Sequence, residues 1–330
     1  MSYLPFTKNG HNMFEVSSLI QKAIRRKDME YACYAAREMM FKYRSYLWKR
    51  MIVVTAEDCF DLVTRPIFIL RQRDEECGNI NETKHISQAV NLLVNTRKNR
   101  DADFFACNLL NSKNKWNVCP DGEGYLVTRH GHDLKTMATL FKKTILNAED
   151  EMCGYIGNEI RNWYLGLFWT IVRDAARELG YPSIMREIDV LWTIDMSKPV
   201  KDTTFIYAAK ALTILMRVAK EGNADFYQMF DVHKYVDISV FDNYRNIPEY
   251  TFDCHTIKGK QRGLTDADFI VSEQAALNPL QRGWYDERDW GRDQECVKNG
   301  YGNDFSTPKI PKDVLDSVNR GVFPTSLFDL

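Results

Sequence analysis

Apolar residues in the first sixty positions recur at helical spacing and the pattern breaks twice. Leu19, Ile20, Ala23 and Ile24 mark one helix, with Lys22, Arg25, Arg26 and Lys27 as its basic side. The pattern restarts after Arg26-Lys27-Asp28. Asp28 stands where an N-cap acceptor belongs, and Tyr31, Ala32, Ala35, Ala36 and Met39 follow. A third run opens at Tyr46-Leu47-Trp48, carries Met51, Ile52, Val54 and Thr55 inward, and ends at Glu57-Asp58.

The same reading predicts helices over most of the remaining chain. One starts near Pro66, a residue the first turn tolerates, and others span Thr83–Val94 and the apolar run Phe104–Leu110. Residues 116–133 are the least helical stretch, punctuated by Pro120, Gly122, Gly124 and Gly131, with Tyr125-Leu126-Val127-Thr128 as a short extended segment. Leu134–Asn147, one long helix over Met152–Leu179, Ile184–Ile194 and Phe205–Glu221 follow, the last capped by Asp202 or Thr203. Short helical pieces are expected from Ala224 to Val240. The sequence therefore predicts an all-α protein, a bundle or collar of about ten helices. Residues 1–15 read as an extended lead-in and 16–240 as the helical domain, with a loop-rich insertion near 116–133. Closely spaced glycines and prolines make 241–330 a loop-rich strap over that body. No internal repeat at a fixed period stands out.

Composition narrows the class. The chain has 330 residues, 45% hydrophobic and 12% aromatic, enough for a real core. A net charge of −1 implies no global attraction to nucleic acid, so any such role needs a local patch. Eight scattered cysteines without a C-x-x-C pair read as reduced thiols of a cytoplasmic chain, with Cys59, Cys107 and Cys153 in the core. No secretory signal and no membrane span are expected. No G-x-x-x-x-G-K-[ST] loop is present to cradle phosphates, and no Cys/His spacing matches a zinc site, so neither cofactor nor metal is expected.

The opening helices resemble the C-terminal helical domain of the replication-associated recombination protein A (MgsA-type) AAA+ ATPases. The resemblance is carried by Leu19-x-x-x-Ala23-Ile24-Arg25, Ala32-x-x-Ala35-x-x-Glu38, Tyr46-Leu47-Trp48-Lys49-Arg50 and Thr55-Ala56-Glu57-Asp58. Cys59-Phe60 stands where the family continues to a glycine, and Arg97-Lys98-Asn99-Arg100-Asp101 falls where the family has another helix start. The resemblance implies a homo-oligomer, a tetramer by analogy, without the ATPase. Its implied partners are DNA, a clamp-loading AAA+ ATPase or a single-strand-binding protein, in the replication machinery of a phage or mobile element. Tyr46, Trp48, Lys49, Arg50, Glu57 and Asp58 become the expected assembly surface, with Arg25 or Arg50 as partners of the two acids. A third role is an adaptor or inhibitor of a host AAA+ ATPase.

Four constellations could carry chemistry. Lys22, Arg25, Arg26 and Lys27 could hold phosphates, or be a solvated face balanced by nearby acids. Asp253-Cys254-His255-Thr256-x-Lys258-Gly259 could bring His255, Lys258, Lys260 and Arg262 onto a phosphate, or be a hydrogen-bonded turn. Thr128-Arg129-His130-Gly131-His132-Asp133 suggests a phosphoester hydrolase, with His130 as nucleophile or with His132, Asp133 and His85 on a metal. The plainer reading is a loop whose histidines cap Leu134–Asn147 or bind a partner. Gln281-Arg282-Gly283-Trp284-Tyr285-Asp286 and Trp290-Gly291-Arg292 could stack bases or pin the tail.

Overall fold

The computed structural model describes residues 5–111, 118, 119, 121, 122, 124, 126–197 and 205–298. The described chain is all-α: apart from isolated bridges it contains no strand. No described helix is long and apolar enough to cross a membrane. The chain divides into two compact units. The described residues of unit 1 lie in 5–101 and 225–298, and those of unit 2 in 102–224.

Unit 1 begins with a tight turn closed by a bridge between Phe6 and Asn12. Helix α1 (Met13–Arg25) follows, capped by the Asn12 side chain on Phe14 N. Helix α2 (Met29–Met40) is capped by Asp28, as the sequence predicts, and α3 (Arg44–Glu57), α4 (Thr64–Cys77) and α5 (Lys84–Asn95) complete the bundle. Helix α1 packs on α2, α3 and α5. Leu19, Ile20, Ala23 and Ile24 are fully buried there, the apolar stripe the spacing predicted. Residues 241–298 are no mere loop. They add α12 (Ile257–Gln261), α13 (Asp266–Ala275), a π-helical turn (Tyr285–Asp289) and α14 (Trp290–Lys298), and belong to unit 1. The short helical pieces expected before them reduce to one 3-10 turn, Ile238–Val240.

Unit 2 starts within the short α6 (Asp101–Phe104), which opens into a π-helical turn, Phe105–Leu110. Then come α7 (Leu134–Leu146), α8 (Asp150–Arg161), α9 (Leu165–Leu179), α10 (Pro182–Met196) and α11 (Ile206–Glu221). The long helix expected over 152–179 is broken at Asn162. That side chain turns back onto Asn158 O at 2.8 Å, and Tyr164 takes an extended φ of −131°. The expected caps Asp202 and Thr203 lie outside the described residues, as does Tyr125. Leu126 and Val127 form a turn rather than a strand, and Val127 makes a single bridge with Asp133. Cys59 and Cys153 are core thiols, but Cys107 is exposed, on the outward side of the π-helical turn.

The two units repeat one plan, which corrects the expectation of no internal repeat. Met13 and Leu134 open equivalent helices (134 − 13 = 121 positions apart), and the same shift carries α2 onto α8 and α3 onto α9. Helices α4 and α5 correspond in order to α10 and α11. The packing pairs correspond too: α1 on α2 and α7 on α8, α3 on α4 and α9 on α10, α4 on α5 and α10 on α11. Fine details survive. Lys27 and Ala148, equivalent non-glycine residues after the first helix, both take a left-handed φ, 58° and 57°. Trp48 Nε1 donates to Asp74 at 2.8 Å and Trp169 Nε1 to Asp195 at 2.9 Å, each acid 26 residues downstream and each gripped by an arginine, Arg44 or Arg161.

Candidate functional site

The basic corner of α1 is an interior junction. Lys22 and Arg25 are 2% and 3% exposed, so neither can meet a polyanion from solvent. Lys22 Nζ lies 2.7 Å from Asp253 Oδ2 and donates to Thr251 O at 3.0 Å. Arg25 spans two acids, Asp58 Oδ1 at 2.7 Å through Nε and Glu273 Oε2 at 2.9 Å through Nη1. Arg26 closes on Glu273 Oε1 at 2.8 Å and lies over the Tyr250 ring. Lys27 alone of the four is exposed. Burial pulls the Lys22 ammonium below its ordinary value, with Asp253 acting against that shift. Burial alone would raise Glu273. The Arg26 hydrogen bond and the charges of Arg25 and Arg26 outweigh it, so this carboxyl sits below its usual range.

Two of the six expected assembly residues are buried. Trp48 is buried and bonded to Asp74, and Asp58 is buried beneath Arg25 and Gln21. The prediction that Arg25 or Arg50 partners the acids holds within one chain for Arg25 and Asp58. Arg50 instead donates to Ser17 Oγ at 3.0 Å and Gln21 Oε1 at 3.1 Å, and Gln21 reaches Glu57 at 2.6 Å. Tyr46 is half-buried with its hydroxyl near Arg50, and Lys49 is exposed.

The Asp253–Gly263 segment is a turn of dense internal hydrogen bonding. Asp253 Oδ1 accepts from His255 N at 2.9 Å. Thr256 Oγ1 caps α12 by accepting from Gly259 N at 3.1 Å. A side chain at Gly259 would put its Cβ 1.8 Å from Asp253 O, so only glycine fits. Lys258 pairs with Glu15 at 3.2 Å and Arg262 with Glu249 at 2.5 Å, which offsets much of the charge offered to a phosphate. His255 and Lys260 are exposed.

The histidine motif of unit 2 has a counterpart at the start of unit 1. Thr128-Arg129-His130-Gly131-His132-Asp133 corresponds to Thr7-Lys8-Asn9-Gly10-His11-Asn12. Glu159, fully buried on α8, accepts from Thr128 Oγ1 at 2.8 Å, His130 N at 3.0 Å and His130 Nδ1 at 2.5 Å. Glu38, buried on α2, accepts from Thr7 Oγ1 at 2.6 Å, Asn9 N at 3.0 Å and Asn9 Nδ2 at 2.6 Å. His132 Nε2 meets the Tyr155 hydroxyl at 2.8 Å, and His11 Nε2 meets Tyr34 at 2.8 Å. Gly131 and Gly10 supply the left-handed turns, φ 86° and 84°. Two positions after each glycine, Asp133 or Asn12 caps the next helix. His130 thus stands where an asparagine does the same work. The expected helix cap is Asp133 rather than either histidine. Among the described residues neither His132 nor Asp133 joins His85 in a possible metal cluster.

The aromatic stretch of the tail is pinned by hydrogen bonds. Asp101 accepts from Trp284 N at 3.2 Å and Tyr285 N at 3.0 Å, and Tyr285 is buried against Trp290 with its hydroxyl on Asp293. The Arg292 side chain lies outside what is described.

No family model, curated protein or solved structure matches this chain.

Proposed function

We propose that the chain is a non-catalytic accessory protein of DNA replication or recombination, with unit 1 as an assembly module. That module resembles the C-terminal helical domain of the replication-associated recombination ATPases. The supporting observation is the convergence of three of the segments that carry the resemblance. Arg25 of the first helix bonds Asp58 at the end of α3. Asp58 O in turn accepts from Asn99 N, in the Arg97–Asp101 segment, at 2.9 Å. A buried polar junction of this kind ties residues far apart in sequence into one unit, as an inherited module would require.

The same junction shifts the choice of partner. With Lys22 and Arg25 buried, the basic corner offers no phosphate site, so protein partners, a second copy or a AAA+ ATPase, fit better than DNA. Mass in solution tests the reading. A tetramer or other closed homo-oligomer is expected at micromolar concentration. A strict monomer that also fails to co-purify with a AAA+ ATPase rejects it.

The hydrolase alternative rests on His130, or on His132 and Asp133. A glutamate-bonded asparagine at the place equivalent to His130 in unit 1 supports a structural role for that histidine instead. No phosphoester turnover is expected, and turnover abolished by His130→Ala would restore the enzyme reading.

A further inference from the structure

Cys254, His255 and Asp266 bring a thiol, an imidazole and a carboxylate together, with all donor atoms within 4.8 Å of one another. Cys254 Sγ lies 3.2 Å from His255 Nδ1 and 3.0 Å from Asp266 Oδ1. We infer that these three residues form a binding site for a zinc-like divalent cation.

Two rigid pieces of backbone hold the donors. Asp253 and Thr256 fix the turn that carries Cys254 and His255, by the bonds from His255 N to Asp253 and from Gly259 N to Thr256. Asp266 sits in the first turn of α13, behind a reciprocal capping box of Thr265 and Asp268. The His255 ring is further held edge-on to Phe269, with centroids 4.8 Å apart. Neither piece needs to refold to present its ligand atom.

The donor set selects the ion. Thiolate, imidazole and carboxylate suit zinc, whereas magnesium and calcium prefer oxygen alone. A tetrahedral zinc with bonds of about 2.0–2.3 Å sets sulfur and nitrogen roughly 3.6 Å apart. The observed sulfur–nitrogen separation, 3.2 Å, is a few tenths of an ångström shorter, within reach of side-chain rotation. His255 and Asp266 are exposed, so the fourth position faces water. The other nearby acid, Asp253, has its Oδ2 engaged by Lys22 at 2.7 Å and serves as a support.

A thiol nucleophile activated by His255 fits less well. Burial, reinforced by Asp266, pushes the Cys254 thiol up to about 12, the wrong direction for a nucleophile at neutral pH. A bound cation reverses that balance, because it favours the thiolate and neutralises Asp266. The site would clip the α12 turn to the start of α13, the helix that carries Glu273 to Arg25.

Cobalt(II) titration of the metal-stripped, reduced full-length chain tests this. The expected result is one equivalent bound, with a thiolate-to-cobalt charge-transfer band and tetrahedral visible absorption, both displaced by zinc. Cys254→Ser should abolish the band, and Asp266→Asn should weaken binding at least tenfold. Cys77→Ser, at an exposed thiol elsewhere, should change neither. Circular dichroism melts confirm that each variant is folded. Absence of stoichiometric binding, or a band that survives in folded Cys254→Ser, overturns the assignment.

Discussion

Arg25 Nε donates to Asp58 Oδ1 at 2.7 Å with both side chains buried, and the equivalent positions in unit 2 are Leu146 and Leu179. One plan thus carries a buried ion pair in one copy and two half-buried leucines in the other. Removing one partner of such a pair strands a charge and costs about 3–5 kcal/mol, whereas replacing both with apolar residues can be nearly neutral. Arg25→Leu and Asp58→Leu should each destabilise strongly. The double variant should be less destabilised than the two single effects summed, with Arg26 still holding Glu273. Urea unfolding of all four proteins measures this, and additive losses would refute it.

Asn9 and His130 should be interchangeable. Each donates from its backbone and its side chain to a buried glutamate. His130→Asn and Asn9→His should each cost no more than about 1 kcal/mol, against about 2 kcal/mol or more for Glu38→Ala or Glu159→Ala, which orphan several donors. Thermal unfolding decides, and a His130→Asn loss as large as that of Glu159→Ala would count against the equivalence.

Trp48 and Lys49 separate folding from assembly. Trp48 is 1% exposed, so Trp48→Ala should cost about 3–5 kcal/mol through a cavity and one lost hydrogen bond to Asp74, which keeps Arg44. Lys49 is exposed, and Lys49→Glu should leave stability within about 0.5 kcal/mol. If unit 1 assembles through this end of α3, Lys49→Glu changes the solution mass while the melting temperature holds. An unchanged mass removes this end from the interface.

Lys98 predicts a rise of stability with pH. Its fully buried ammonium caps α5 by donating to Leu93 O, Val94 O and Thr96 O. Burial pulls its pKa from 10.5 down to about 8. Between those values the unfolded chain holds the proton and the fold does not, so stability rises with pH there, and the cost of burying the charge is fully present below about 8. Buried thiols such as Cys33 and Cys254 are raised, and pull the other way above their ordinary 9.0. The comparison is therefore between wild type and Lys98→Met in urea from pH 7.5 to 9.5. The wild type should gain on the variant across that range, and parallel curves would refute the shift.

Gly259 should tolerate no side chain. Gly259→Ala places its Cβ against Asp253 O, a backbone atom that cannot swing aside. A loss of about 2 kcal/mol or more is expected, with hydrogen exchange raised first across 250–275. Uniform exchange at wild-type rates would contradict it.

The helices were legible because burial writes a 3.6-residue stripe into each one, and Asp28 signals its cap locally. The basic corner was not. Lys22 and Arg25 look like a solvated face because Asp253 and Glu273 lie more than 200 residues downstream, and no local pattern links them. The repeat was hidden for another reason. At a spacing of 121 few residues are kept: ones with fixed hydrogen-bond roles, such as Thr7 and Thr128, His11 and His132, Glu38 and Glu159, and Trp48 and Trp169, and a few others, such as Gly10 and Gly131, Leu19 and Leu140, and Ile24 and Ile145. The core between them needs only to stay apolar. The strap misled because Gly and Pro mark every turn, while α13 and α14 fit between the marks.

The split composition of unit 1 also sets a clock for synthesis. Arg25 leaves the ribosome 248 residues before Glu273. At about 5–20 residues per second that delay is on the order of tens of seconds. Throughout most of it Lys22 and Arg26 lack their acidic partners Asp253 and Glu273, and Arg25 has only Asp58. The described residues of unit 2 all lie between 102 and 224, so that copy of the plan can close first. The earlier-made copy therefore finishes last, and a chain cut short before Glu273 carries an open cationic seam rather than a finished bundle.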